Sequence, residues 1–181
     1  MPLEDEKRMV DLAKSGDGEA FARLYEAYFD RVYRFIFFRV TDAQIAEDLA
    51  SQVFLKAWEH LQRYNPDGPF LAWLYAIARN AVIDNYRTRK KTVSLDEAPI
   101  ATRDDKLDDR MQSEFEKQSL QAAIQRLTPE QQEVITLSFI AQYDTAEIAR
   151  HMGKSEGAIR ALQMRALQAL ARVMRNQSNG E

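Results

Sequence analysis

Along nearly the whole chain, apolar residues recur at three- and four-residue steps, the spacing of a helical face that packs on a core. Residues 3–14 carry Met9, Val10, Leu12 and Ala13 and stop at the turn cluster Ser15-Gly16-Asp17-Gly18. Residues 19–40 set Phe21, Leu24, Tyr25, Tyr28, Val32, Ile36 and Val40 in register. The run Phe35-Ile36-Phe37-Phe38 makes that helix apolar on most sides, which predicts a central position. A third helix begins near Asp42 with Ile45, Leu49, Val53, Phe54, Ala57, Trp58 and Leu61. The segment Tyr64-Asn65-Pro66-Asp67-Gly68-Pro69 forces a loop, since two prolines and a glycine cannot continue a helix. A fourth helix follows over 70–91, with Phe70, Trp73, Leu74, Ile77, Ala81 and Val82 on one side.

The period then lapses. Residues 92–112 contain Pro99 and many aspartates, which predicts a flexible acidic linker. Fully extended it spans on the order of 70 Å, at about 3.3 Å per residue. A second set of helices starts near 113 and is well punctuated. Thr128-Pro129-Glu130-Gln131 supplies an N-cap threonine, a first-turn proline and a capping-box glutamine. Asp144-Thr145-Ala146-Glu147 repeats that logic with an aspartate cap. Gly153 suits a tight interhelical turn and Ser155 the next N-cap, before a last helix with Ile159, Leu162, Ala166, Leu170 and Val173 on one face. The expected fold is all-α: two small helical domains, 1–91 and 113–181, joined by the linker 92–112.

Composition narrows the chemistry. The 181 residues include no cysteine, which removes disulfides, thiolate metal sites and cysteine nucleophiles. His60 and His151 have no metal-ligand spacing, and the glycines form no phosphate loop. No cofactor is expected, and an enzyme is the least favoured class. No apolar run nears the roughly 20 residues that cross a bilayer, and the start MPLEDEKR is acidic and polar. The expectation is a cytoplasmic chain with no membrane insertion. The net charge of −3 conceals an uneven distribution. Arg79, Arg87, Arg89, Lys90 and Lys91 face only Asp84 over 79–91, and Lys154, Arg160, Arg165, Arg172 and Arg175 face only Glu156 over 154–175. Residues 96–116 hold eight acids against three bases, so two basic segments flank an acidic one.

Three segments have candidate functions. Residues 144–168, DTAEIARHMGKSEGAIRALQMRALQ, follow a helix-turn-helix layout in which small residues let two helices approach closely. The second helix is slim enough for a major groove about 12 Å wide. Lys154, Ser155, Glu156, Arg160, Met164 and Arg165 would be its exposed reading positions, with Gln163 nearby. An ordinary helix pair with a solvated basic face fits the same pattern. On the helix over 70–91, Asn80 and the RTRKK tail stand among the aromatics Tyr64, Phe70, Tyr75 and Tyr86. Aromatics stack on unpaired bases, asparagine bonds base edges, and cations hold phosphates. A core helix with a basic C-terminal end also fits. Glu47, Asp48, Gln52, Lys56 and Glu59 line a hydrophilic face of the third helix, either plain surface or a docking face.

Three blocks together are more specific. AEDLASQVFLKAW (46–58), WLYAIARNAVIDNYR (73–87), and LTPEQQEVITLSFI with EIARHMGKSEGAIRALQMRAL (127–140 and 147–167) resemble the extracytoplasmic-function sigma factors of bacterial RNA polymerase. The resemblance covers nearly the whole chain in order. It implies that the first domain binds core RNA polymerase and recognises and melts the downstream (minus-ten) promoter element, and that the second reads the upstream (minus-thirty-five) element as duplex DNA. Carried over, Glu47, Asp48, Gln52, Phe54 and Lys56 match the polymerase-binding helix. Asn80 lies beside the pocket for a flipped base, to which loop 64–70 contributes Tyr64 and Phe70. Arg79, Arg87, Arg89, Lys90 and Lys91 fall where backbone and element contacts are made. Lys154, Ser155, Glu156, Arg160, Met164 and Arg165 match the reading helix. An anti-sigma factor is an expected further partner. Gln52 departs from a frequent glutamate, and Ala161 and Leu162 from a serine and a basic residue, which bears on docking charge and upstream readout. The rival reading is a helix-turn-helix regulator that binds a duplex operator without polymerase; such a protein needs neither the docking helix nor a strand pocket.

Overall fold

The structure, a computed structural model, describes residues 5–40, 42–65, 68–92 and 109–178, and the side chains of all but 89–92, 109–115 and 177–178 of these. Eight α-helices are found among the described residues, with no strand: α1 (Glu6–Lys14), α2 (Gly18–Phe37), α3 (Ala43–His60), α4 (Phe70–Thr92), α5 (Asp109–Gln125), α6 (Pro129–Ile135), α7 (Thr145–Met152) and α8 (Glu156–Ser178). The expected linker, apart from its two ends, lies outside the described residues.

The first four helices pack around α2, as its apolar circumference predicts. Leu24, Tyr28, Val32, Phe35 and Ile36 are all buried. Asp17 caps the helix by accepting from the Glu19 and Ala20 amides at 2.9 and 3.1 Å. Asp42 does the same for α3 through Ile45 N, at 2.8 Å. Glu6 of α1 ties three elements together. One carboxylate oxygen accepts from the Tyr28 hydroxyl, and the other lies 3.2 Å from the Phe70 amide at the start of α4. That amide has no partner within its own helix, so Glu6 completes the α4 terminus.

α2 ends three residues earlier than the periodicity suggests, at Phe37; Phe38, Arg39 and Val40 form a turn. The carbonyls left over at this end are taken by the second domain. Gln121 Nε2 of α5 donates to Phe37 O at 2.7 Å and Val40 O at 3.0 Å, and Gln125 Nε2 also donates to Val40 O.

In the second domain, α5, α6 and α7 pack on α8. Thr128 and Gln131 form the expected capping box with Pro129 in the first turn. After α6 the chain makes one π-helical turn, Thr136–Ile140, closed by Ala141 N to Thr136 O at 2.9 Å. The periodicity gives no sign of this turn. The return to α7 passes through Gln142, at φ 56°, a conformation few non-glycine residues adopt.

Candidate nucleic-acid interface

α7 and α8 form the clearest surface. Asp144 accepts from Glu147 N at 2.7 Å, while Glu147 accepts from Asp144 N at 2.9 Å. Gly153 then takes a left-handed conformation, φ 65°, and lets Lys154 N bond Ala149 O at 2.9 Å. Ser155 caps α8 by accepting from Ala158 N at 3.3 Å. Ile148 of α7 meets Ile159, Leu162 and Ala166 of α8 in a small buried core. The opposite face of α8 is left to solvent. Met164 is 64 % exposed, and Glu156, Arg160 and Arg165 are also exposed. Arg160 Nη2 lies 3.4 Å from Glu156 Oε2, an exposed pair that a polyanion can compete away. Lys154 pairs with Glu130 of α6 at 2.9 Å. Gln163 faces inward instead, donating to Ser138 Oγ at 2.9 Å and fixing α8 on the π-helical turn.

Of the two departures in this helix, Leu162 is buried and packs in the core, so it cannot read a base edge; Ala161 is exposed.

α4 turns Phe70, Leu71, Leu74, Tyr75, Ala78, Ala81 and Val82 inward. Asn80 and Arg87 are exposed and seven residues apart, so they share a face about two turns, roughly 10 Å, in extent. Arg89, Lys90 and Lys91 are helical, but their side chains lie outside the described residues. Two residues expected at the strand pocket are covered in this structure. Phe70 is fully buried, and Tyr64 is only 6 % exposed. Tyr64 packs edge-on to Phe70 and against Trp73, with ring centroids 5.4 and 5.3 Å away, and its hydroxyl donates to Gly68 O. Lys14 Nζ covers it, 5.5 Å from the ring centroid. These rings are pinned as the core of the loop, so neither is an open stacking platform here. Tyr75 is likewise buried; Tyr86 is half-exposed.

Arg79 is not free either. Its Nε is 2.5 Å from Glu133 Oε1 of α6. Glu133 is 4 % exposed and also lies 3.6 Å from His151 Nε2. Burial pushes its carboxyl up, but the nearby His151 ring and the charges of Arg39 and Arg79 together hold it below the ordinary carboxylate value. Arg39 is 2 % exposed, its guanidinium 5.1 Å from the Phe35 ring centroid. Burial lowers its pKa, against the raising effect of Glu133. Nothing in the sequence pattern marked Arg39 or Glu133. A charged residue at an inward helical step, such as Glu133 between Gln132 and Val134, was the available signal.

α3 presents Glu47, Asp48, Gln52 and Lys56 to solvent. Phe54 is the exception among the expected docking residues. It is 2 % exposed and packs on Phe21, Tyr25 and Phe29, so it supports that face from beneath. The sequence pattern missed an apolar strip beside these charges, where Leu55 is 59 % exposed next to half-exposed Trp58 and Tyr25.

The geometry therefore offers an amphipathic face on α3, a polar and basic face on α4, and an exposed groove-sized helix, α8. Matches to known families fall on these elements. Residues 24–92 match Sigma-70 region 2, and residues 117–170 match Sigma-70, region 4. The chain is 38 % identical over 177 residues to the ECF RNA polymerase sigma factor BldN of Streptomyces coelicolor, covering 94 % of this chain and 67 % of that protein. The chain belongs to the extracytoplasmic-function (ECF) family of RNA polymerase sigma factors. A sigma factor directs promoter-specific transcription initiation. This sigma factor is also 26 % identical to SigW of Bacillus subtilis over 94 % of this chain and 97 % of that protein. Its fold matches CnrH, solved with the cytosolic domain of CnrY, at a TM-score of 0.75 and 22 % identity over 96 % of this chain and 99 % of that one. It also matches the sigma factor RpoE solved with the anti-sigma factor NepR from Bartonella quintana, at 0.68 and 21 % identity over 86 % and 96 %. Among the described residues no helix is long and apolar enough to cross a membrane, and no acid or histidine cluster suits a metal.

Proposed function

We propose that this sigma factor docks on core RNA polymerase through α3, reads the upstream promoter element with the N-terminal half of α8, and engages the melted downstream element along α4. The observation that carries this reading is the two-sidedness of α8. Ile159, Leu162 and Ala166 are buried on its α7-facing side while Glu156, Arg160, Met164 and Arg165 stand in solvent, an arrangement suited to a major groove. Arg160 and Arg165 are suited to base edges and phosphates, Ser155 and Lys154 to the backbone at the helix entrance. On α4, Asn80 is the candidate for a base edge, with Arg79, Arg87, Arg89, Lys90 and Lys91 for the strand backbone. On α3 the charged Glu47, Asp48 and Lys56 and the polar Gln52 would frame Leu55 and Trp58, a polar rim around an apolar centre. The protein works in the cytoplasm without a catalytic centre or cofactor of its own. An anti-sigma factor is proposed as a further partner, by analogy with the Bartonella sigma factor.

Reconstitution with core RNA polymerase tests the reading. Stable association and run-off transcripts from particular promoters only are expected. Tight sequence-specific duplex binding without polymerase, and no transcript with it, would sink it in favour of an operator-binding regulator.

A further inference from the structure

The residues that join the two domains are unusual for a permanent interface. Glu133 is buried on α6, and among the described residues its one basic neighbour within its own domain is His151; both nearby arginines, Arg39 and Arg79, come from the first domain. The 2.5 Å contact of Arg79 with Glu133 is a charge contact off the N–H axis, and Arg39 Nε and Nη1 have no hydrogen-bond partner among the described residues. A buried cation so incompletely satisfied weakens the closed state relative to a hydrated, open one. The rest of the seam mixes apolar and polar contacts: the buried Tyr75 of α4 packs edge-on to Tyr143, ring centroids 5.6 Å apart, within an apolar cluster that the two domains share. Gln121 reaches two carbonyls of the first domain, and the Tyr86 hydroxyl lies 2.5 Å from Arg39 O and 3.1 Å from Gln132 Oε1.

What the seam occupies matters. Arg79 adjoins Asn80, and Tyr86 lies on the same helix one residue before Arg87. We propose that the closed arrangement is a resting state in which Glu133 stands in for a nucleic-acid phosphate at Arg79, so that the domains must part before α4 can take a DNA strand. This rests on the strand-binding reading of α4. A carboxylate and a phosphate present the same acceptor to a guanidinium, so the two compete for one group. Closure therefore scales apparent strand affinity down to its intrinsic value times the open fraction.

The absence of cysteine allows clean labelling of the full chain. Dyes on Glu59→Cys of α3 and Gln168→Cys of α8, both exposed positions, report the domain separation by single-molecule energy transfer. Glu133→Gln removes the charge at nearly constant volume. The closed-to-open ratio should fall on the order of a hundredfold, the usual consequence of unpairing a buried charge. Gln121→Ala, away from the charges, should shift it in the same direction by roughly tenfold. Unchanged separation in both variants, with helical content intact by circular dichroism, overturns the latch. Binding of labelled oligo-dT, followed by anisotropy, should tighten in Glu133→Gln by the factor by which the open population rises. Opening without any gain overturns the masking of Arg79. If Asn80→Ala and Arg87→Ala in that opened background also leave binding unchanged, the failure belongs to the strand reading of α4.

Discussion

The two basic surfaces of this sigma factor use similar residues and meet different fates in the closed molecule. On α8 the arginines stand in solvent, held outward by a small core of isoleucine, leucine and alanine. On α4, Asn80 and Arg87 are exposed, but Arg79 leans on Glu133 and Tyr86 is drawn toward Gln132. Charge pattern shows which helix suits a polyanion. Only tertiary contact shows whether that helix is at liberty to meet one.

This contrast can be strained in several ways. The largest effect is expected from Ile148→Ala, which empties a fully buried site beneath α8. A loss of about 2–5 kcal/mol is expected, visible as a lower Tm, with upstream binding lost alongside. An unchanged Tm would show that α7 does not hold the reading helix in place. Next comes Arg160→Ala, which should weaken upstream-element binding by about 1–3 kcal/mol in the reconstituted polymerase complex. The loss should be the same in a Glu133→Gln background, because α8 lies outside the seam. A footprint identical to the unsubstituted protein's would remove Arg160 from the reading set.

Asn80→Ala should reduce open-complex formation about tenfold, the lower end of what one base contact contributes, and spare association with core polymerase. Equal loss of both would assign Asn80 to folding. The smallest effect near neutrality is that of pH on closure. Glu133 is held below its ordinary value of 4.5, so its contribution to the closed state is complete above that value. It is lost as pH falls through the lowered one. Label separation measured against pH should stay flat down to the ordinary carboxylate range; opening well above it would point to another group.

Most of the helices were legible from spacing and caps. The Thr128 and Asp144 boxes and the Gly153 turn are local chemistry, and local chemistry is written in sequence. The burial of Tyr64 and Phe70 was not legible. Aromatics near a loop suit a stacking platform and a hydrophobic staple equally well, and here Trp73 and the sequence-distant Lys14 close over Tyr64. The inward position of Phe54 was likewise not legible, since it depends on packing against Phe21, Tyr25 and Phe29 of α2. The end of α2 and the Glu133 site depend on partners more than 40 residues away, which no local pattern encodes.

One dimension of α8 has a mechanical consequence. At 23 residues the helix is about 34 Å long, while a groove about 12 Å wide admits only about eight residues across it. Under the proposed reading, more than half of α8 would project beyond the DNA as a stiff arm ending near exposed Met174. From Arg160 to Met174 that arm measures about 21 Å. Over that length a tilt of about 10° moves one end by roughly 4 Å. Reading and leverage are built into one rod.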